Sequence, residues 1–256
     1  MINMIFDSHA HYDDEAFDLD RDELLNNLSD KGVCGIINCG VDIKTSEISI
    51  GFAEKYPFIR AAVGIHPQTA NEAPSNYIDE IIRIAKDKKV VAIGEIGLDY
   101  YYDNTVREVQ LEIFEKQLIL ANELNLPVIV HDREAHKDTL DLLKKHRPSG
   151  VVHCFSGRVE MMHEVVSLGM YIGLGGAVTF KNAKHPVAVA EQVPIDRFLL
   201  ETDAPYMTPV PYRGKRCNSS HIIYTAAKIA EVRGMECNKV LSLARDNANR
   251  LFSLEL

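Results

Sequence analysis

Ile5-Phe6-Asp7-Ser8-His9-Ala10-His11-Tyr12 is a short apolar run that ends in two histidines one residue apart. In an extended strand, residues two apart point to the same side. His9 and His11 therefore project together, and both imidazoles can reach one metal ion. Two partly buried structural histidines would fit the same pattern. The rest of the chain weighs for the metal, because it repeats one arrangement: an apolar strand closed by a metal-type side chain.

Seven further strand-like runs follow, at 32–39, 59–65, 90–99, 127–131, 150–155, 170–174 and 198–203. Segments with helical spacing lie between them, such as 21–28, 77–88, 106–125 and 136–146, and two more (221–233 and 238–252) close the chain. Strands alternating with helices predict a parallel sheet, and eight is the number that closes a (β/α)8 TIM barrel. An open doubly wound sheet usually carries a glycine-rich phosphate loop after its first strand; here that place holds His-x-His. No linker or low-complexity stretch divides the chain, which predicts one barrel domain over 1–256.

Composition narrows the class. Of 256 residues, 46% are hydrophobic and 25% charged, an ordinary balance for a globular protein with a core of its own. No apolar run is long enough to cross a bilayer, and the first residues lack the pattern of a signal peptide. Five scattered cysteines form no Cys-x-x-Cys pair, which argues for a reducing compartment. These features predict a cytoplasmic protein, and the self-sufficient core predicts a monomer. A net charge of −9 argues against a broad basic nucleic-acid face. It leaves a phosphate substrate open, since carboxylates around cations are neutralised in a loaded site.

Barrel active sites lie at the C-terminal ends of the strands. Five predicted strands end there in a metal-type residue: His9 with His11, Glu95, His131, His153 and Asp203. His136, His146 and His163 fall in helices and read as solvent-facing. Four imidazoles and two carboxylates exceed what one catalytic ion takes from protein. They fit two ions sharing Glu95, which comes from a strand midway along the barrel sequence.

The motifs around these ends are Gly64-Ile65-His66-Pro67, Gly94-Glu95-Ile96-Gly97-Leu98-Asp99-Tyr100-Tyr101, His153-Cys154-Phe155-Ser156-Gly157 and Glu201-Thr202-Asp203-Ala204-Pro205-Tyr206. Through them the chain resembles, over essentially its whole length, the TatD-like metal-dependent deoxyribonucleases of the amidohydrolase superfamily. The resemblance implies a TIM barrel with two divalent ions that hydrolyses DNA phosphodiesters, often as a 3′-to-5′ exonuclease on single strands. It also implies His9, His11 and Asp203 on one ion, His131 and His153 on the other, and Glu95 between them. Related barrels that bridge their metals with a carboxylated lysine differ, since no lysine lies near Glu95.

Two such cations, roughly 3.5–4 Å apart, hold the attacking and leaving oxygens of a displacement. Asp203 is the candidate to orient the water and accept its proton. Glu201 shares the strand face of Asp203; it either holds a ligand histidine in its tautomer or is an ordinary buried acid paired elsewhere. The resemblance places His66 over the substrate phosphate as a donor. Arg133 either contacts phosphate or pairs with Glu134. Arg213 and Lys215, in the one concentrated basic loop, suit phosphate contacts. Tyr100, Tyr101, Tyr102 and Tyr206 either stack bases or pack the rim.

The family usually follows this loop with Arg-Asn-Glu-Pro, whereas here it reads Arg216-Cys217-Asn218-Ser219-Ser220, which puts loop geometry and substrate preference in question. The fifth strand reads His131-Asp132-Arg133, where serine commonly follows the histidine; alternation turns Asp132 away from the site. A histidine-rich nitrogen and oxygen set favours zinc, manganese, cobalt or nickel on affinity, while the resemblance suggests magnesium or manganese. Two other readings remain. One is a metallohydrolase acting on a small phosphoester, ester or amide. The other is a catalytically weak metal protein in a repair or quality-control assembly.

Overall fold

The computed structural model describes residues 4–102 and 105–254; the ends of the predicted domain, 1–3 and 255–256, lie outside the described residues, as do 103–104. Eight strands form one sheet in sequence order: β1 (Ile5–Ala10), β2 (Val33–Cys39), β3 (Ile59–Val63), β4 (Val90–Asp99), β5 (Val128–Arg133), β6 (Gly150–Val152), β7 (Tyr171–Leu174) and β8 (Phe198–Leu200). Every neighbouring pair is parallel. The connecting helices are α1 (Arg21–Asn26), α2 (Ile43–Lys55), α3 (Tyr77–Ile84), α4 (Arg107–Leu124), α5 (His136–His146), α6 (Val159–Ser167) and α7 (Lys184–Gln192), with α8 (Ile222–Arg233) and α9 (Cys237–Phe252) after the last strand. This is a (β/α)8 barrel. Among the described residues no helix is long and apolar enough to cross a membrane.

Strand alternation divides the core into two clusters. Ile36, Ile93, Val130, Val152 and Leu200 join helix residues such as Leu25, Phe114 and Leu143 in the layer between sheet and helices. Phe6, Ile37, Ala92, Ile129, Val151 and Leu199 form the second cluster, which Leu251 and Phe252 at the end of α9 join. Two residues beyond Ile129, Val151 and Leu199 come His131, His153 and Glu201. The period of two thus carries the inward face from apolar filling to polar groups at the mouth.

Several strands stop short of their predicted ends, β1 at Ala10 and β3 at Val63 among them. β6 ends at Val152 because Cys154 takes a positive φ of 42°, and β8 ends at Leu200 with Asp203 at φ 58°. An aspartate tolerates this left-handed conformation better than most residues. Near the end of β4, Gly97 has φ 146°, and a Cβ there would meet the His131 carbonyl oxygen at 2.0 Å. Only glycine lets β4 and β5 approach so closely.

The barrel closes differently between β8 and β1. One isolated bridge, Ala10 with Ala204, replaces a ladder, supported by Asp203 N–H to the His9 carbonyl (3.0 Å) and His11 N–H to that of Ala204 (2.7 Å). Side chains complete the seam. Ser8 Oγ donates to the Leu200 carbonyl (3.1 Å), and the buried Asp7 carboxyl accepts from Thr202 N–H (2.9 Å), Thr202 Oγ1 (2.6 Å) and Ser219 Oγ (2.7 Å). Burial pushes the Asp7 carboxyl up to about 6 against these bonds.

Helix α4 secures two other strand ends with buried amides seven residues apart, a spacing that puts both on one helix face. Gln110 accepts from Asp99 N–H (2.8 Å) and donates to the Asp99 carbonyl (2.9 Å). Gln117 does the same for Ile65, at 2.8 and 3.0 Å. Backbone groups beyond the ladders are thereby satisfied without water, which fixes His66 and Asp99 beside the mouth.

Candidate metal centre

All six predicted ligands meet at the C-terminal mouth, and Glu95 lies among them with its two oxygens facing different neighbours. Oε2 is 3.4 Å from His9 Nε2 and 3.3 Å from His11 Nε2. Oε1 is 2.7 Å from His153 Nε2, 2.9 Å from His131 Nδ1 and 3.5 Å from His66 Nε2. Asp203 Oδ1 completes the first group, 3.7 Å from His9 and 3.6 Å from His11. His9, His11 and Asp203, and separately His9, Glu95 and His153, offer atoms close enough to share one cation.

Hydrogen bonds on the far side of each ring decide which nitrogens have a lone pair to offer. His11 Nδ1 lies 2.9 Å from the Cys39 carbonyl, which can only accept, so Nδ1 carries the proton and Nε2 is the donor atom for a metal. His9 Nε2 lies 2.9 Å from His11 Nε2. Two facing lone pairs at that distance repel, so a proton or a metal cation must stand between them. The donor set therefore fits a cation.

His66 is the opposite case. Its Nδ1 accepts from Gln68 N–H at 3.1 Å, so in the neutral ring the proton sits on Nε2, which points at Glu95. His66, Glu95 and His131 also cluster closely enough for an ion, but His66 enters the mouth as a hydrogen-bond donor.

The charges follow from packing. Burial and the His153 charge hold His9 well below the usual imidazole range. Burial opposes charge on His11 too, but the hydrogen bond and charge of Glu95, backed by Asp203, outweigh it and raise His11 to about 10. Burial likewise opposes charge on Glu95, yet the surrounding His153, His66 and His9 hold its carboxyl well below the usual range. Burial raises Asp203, which is the favourable direction for a proton acceptor.

Three residues outside the predicted set shape this centre. Asp99 Oδ2 lies 3.1 Å from His131 Nε2 and accepts from Gln68 Nε2 at 2.9 Å. Burial opposes charge on both partners of the Asp99–His131 pair; the hydrogen bonds override it, raising His131 to about 9 and lowering Asp99. Cys39 supplies the carbonyl under His11, and its Sγ lies 3.4 Å from His9 Nδ1. Gly173 on β7 leaves room for Glu201: a Cβ there would meet Glu201 Oε2 at 2.5 Å. Only Asp99 left a trace in the sequence, as a carboxylate four residues past Glu95 on the same strand.

Glu201 accepts from Cys154 N–H, and its Oε1 is 3.9 Å from His153 Nδ1, too long for a hydrogen bond. His153 Nδ1 and Glu201 Oε2 are both buried without a hydrogen-bond partner. Burial raises Glu201 to about 7. Asp132 points away from the mouth, 2.7 Å from His136 Nδ1. His136 and His146 are half-buried and bound to Asp132 and Glu115, because carboxylates on neighbouring segments draw them in, while His163 is exposed.

At the rim, the Arg133 guanidinium lies 3.9 Å over the Tyr101 ring, and that of Arg213 lies 3.6 Å over Phe180. Lys215 Nζ is 5.7 Å from the Tyr212 ring. Tyr100 turns outward, its hydroxyl donating to Asp138 at 2.8 Å. In the altered loop, Arg216 is bidentate with Asp20 (2.7 and 2.6 Å) and Ser219 reaches back to Asp7 and Tyr12.

The family model of TatD related DNase matches residues 6–253. The metal-dependent hydrolase YabD of Bacillus subtilis (strain 168) is 40% identical, covering 98% of this chain and all of that protein. The 3′-5′ ssDNA/RNA exonuclease TatD of Citrobacter koseri is 31% identical, covering 98% and 99%. The crystal structure of YjjV, a TatD homologue from Escherichia coli K12, superposes with a TM-score of 0.94 at 31% identity over the full length of both chains. With this sequence match, this barrel and these clusters at its mouth, the chain belongs to the TatD-related DNase family and is a metal-dependent hydrolase.

Proposed function

We propose that the protein hydrolyses DNA phosphodiester bonds as a 3′-to-5′ exonuclease on single strands, using two divalent cations drawn from magnesium, manganese or zinc. The observation that carries this reading is Glu95, whose Oε2 faces His9 and His11 while Oε1 faces His131 and His153. Bound there, the cations would supply Lewis acidity and lower the pKa of an attacking water.

The chain's own groups would do the rest. Asp203 orients the water and takes its proton as the oxygen bonds to phosphorus and the bond to the leaving 3′ oxygen breaks, that oxygen taking a proton from solvent. His66 Nε2–H donates to a phosphate oxygen, where charge grows in the transition state. Glu201, 3.9 Å from His153 Nδ1, would favour the proton on that nitrogen by its charge and so leave Nε2 free for a metal. Arg133, Arg213 and Lys215 offer charge to the phosphate backbone. The name of the Citrobacter koseri relative supports this substrate class.

The test is degradation of end-labelled single-stranded DNA by metal-stripped protein, with magnesium or manganese restored, beside Glu95→Ala. A metal-dependent ladder shortening from the 3′ end and lost in the variant supports the proposal. DNA left intact by a wild type that binds its cations rejects it. One observation favours a second reading, a small phosphoester, ester or amide: Asp20 neutralises Arg216, which thins the basic rim. Faster turnover of small esters than of oligonucleotides would select that reading.

A further inference from the structure

Of the four tyrosines near the mouth, three are exposed, and two of these, Tyr101 and Tyr102, stand side by side at the β4–β5 rim. Tyr100 is half-buried and bound through its hydroxyl to Asp138. Tyr206, exposed in the segment after β8, is apart from that pair and tied to Asp14 by a 2.6 Å hydrogen bond. Tyr101 and Tyr102 are 53% and 44% exposed, with ring centroids 4.9 Å apart and planes at 89°. Between them stands Arg133, 3.9 Å from the Tyr101 centroid and 4.9 Å from that of Tyr102.

We propose that Tyr101, Tyr102 and Arg133 form a stacking subsite for the base next to the phosphate under attack. This rests on the nuclease reading above and adds to it how the strand is gripped. Two observations place the subsite. Asp99 Oδ1 accepts from the backbone N–H of Tyr101 (3.0 Å) and Tyr102 (3.4 Å), while its Oδ2 faces His131 Nε2 (3.1 Å). One buried carboxylate thus orients a ligand ring and hangs the aromatic pair beside it, which fixes their separation. Arg133 follows His131 by two residues on β5, so its charge is anchored to the same strand end.

The chemistry suits a nucleobase flanked by phosphates. A base has a π-face that a tyrosine ring accepts without regard to sequence. A guanidinium already lying on an aromatic face can keep that stack and turn its N–H edge to phosphate oxygens. An aliphatic ester would use neither group. The subsite therefore selects for nucleic acid over small esters, with little preference among the four bases.

The experiment measures binding and cleavage of a short 5′-labelled oligothymidylate by the metal-loaded protein. Wild type is compared with Tyr101→Ala, Tyr101→Phe and Tyr102→Ala, on the intact strand and on strands carrying one abasic tetrahydrofuran residue at each of the last three positions. The expected result for Tyr101→Ala is a Kd and KM raised about tenfold, the scale of one lost base stack, with kcat little changed. Tyr101→Phe, which keeps the ring, restores wild-type values. One abasic position costs wild type the same factor and costs Tyr101→Ala nothing more. The proposal is overturned if Tyr101→Phe is as weak as Tyr101→Ala, if the abasic and alanine losses multiply, or if neither change moves Kd. The abasic strands test wild-type protein, so a misfolded variant cannot decide the matter. A wild type that binds the strand through this subsite without cutting it retains the subsite and rejects the nuclease reading; one that does not bind the strand overturns the subsite.

Discussion

The β4–β5 ladder and the β8–β1 seam both deliver candidate ligands to one centre, by opposite means. β4 runs ten residues, and its pairing with β5, irregular between Ile93 and Ile96, runs from Ile96 to Asp99 opposite Arg133. His131 is placed by this ladder, and Glu95 by the backbone between its two paired stretches, where its N–H bonds the Gly40 carbonyl. At the seam the pairing is one bridge, and Asp203 lies three residues beyond the end of β8. Its position depends on side chains, chiefly Asp7 holding Thr202 and Ser219. A ladder tolerates side-chain changes because its bonds are between main chains. A clasp fails with the one residue that makes it.

The largest effect should come from the ligand both halves share. Glu95→Ala removes the carboxylate between the two groups and should cut hydrolysis by roughly a thousandfold or more; steady-state rates beside a circular-dichroism spectrum check that the fold survives. Removing metal is the milder form of the same test. A cation at a thousand times its Kd adds about 4 kcal/mol to the folded state per site, so chelation should lower the Tm of wild type and leave that of Glu95→Ala nearly unmoved.

Asp7→Ala tests the seam alone. It takes the acceptor from four buried donors, a loss of about 2–4 kcal/mol, and it should lower hydrolysis as well, since Asp203 follows Thr202. Urea unfolding with parallel rate measurements reads both. On the other side, Gln117→Leu orphans the N–H and carbonyl of Ile65 and should cost about 1–3 kcal/mol while raising KM through the neighbouring His66. Were Asp7→Ala to unfold the chain no more easily than Gln117→Leu, the seam would not be the weaker closure. The smallest effect belongs to Ile129→Val, a buried methylene on the ladder side: about 1 kcal/mol of stability with turnover unaltered.

What could be read from the sequence divides along the same line. The run Val90 to Asp99 is apolar, long and closed by a carboxylate, and β4 has those very bounds. The eight-strand count followed from similar runs, because a buried parallel strand needs little beyond its own composition. The strand predicted to reach Asp203 stops at Leu200 because Thr202 turns to Asp7, a partner 195 positions away. Gln110 and Gln117 look like solvent-facing residues on an amphipathic helix; only the register of α4 against β4 shows that they bind backbone. Gly173 matters through the atom it lacks, which no motif records. Asp99 stood within a quoted motif, but a carboxylate that grips a histidine from behind has the same letter as one that faces solvent.

The clasp at the seam also has a bearing on synthesis. The chain leaves the ribosome from its N-terminus, so His9 and His11 emerge early, whereas Asp203 and Ser219 come near the end. Asp203 is set beside His9 only where Thr202 meets Asp7 and Ser219 locks them. Half-made copies and products broken before residue 203 therefore lack the first ligand group whatever the metal supply.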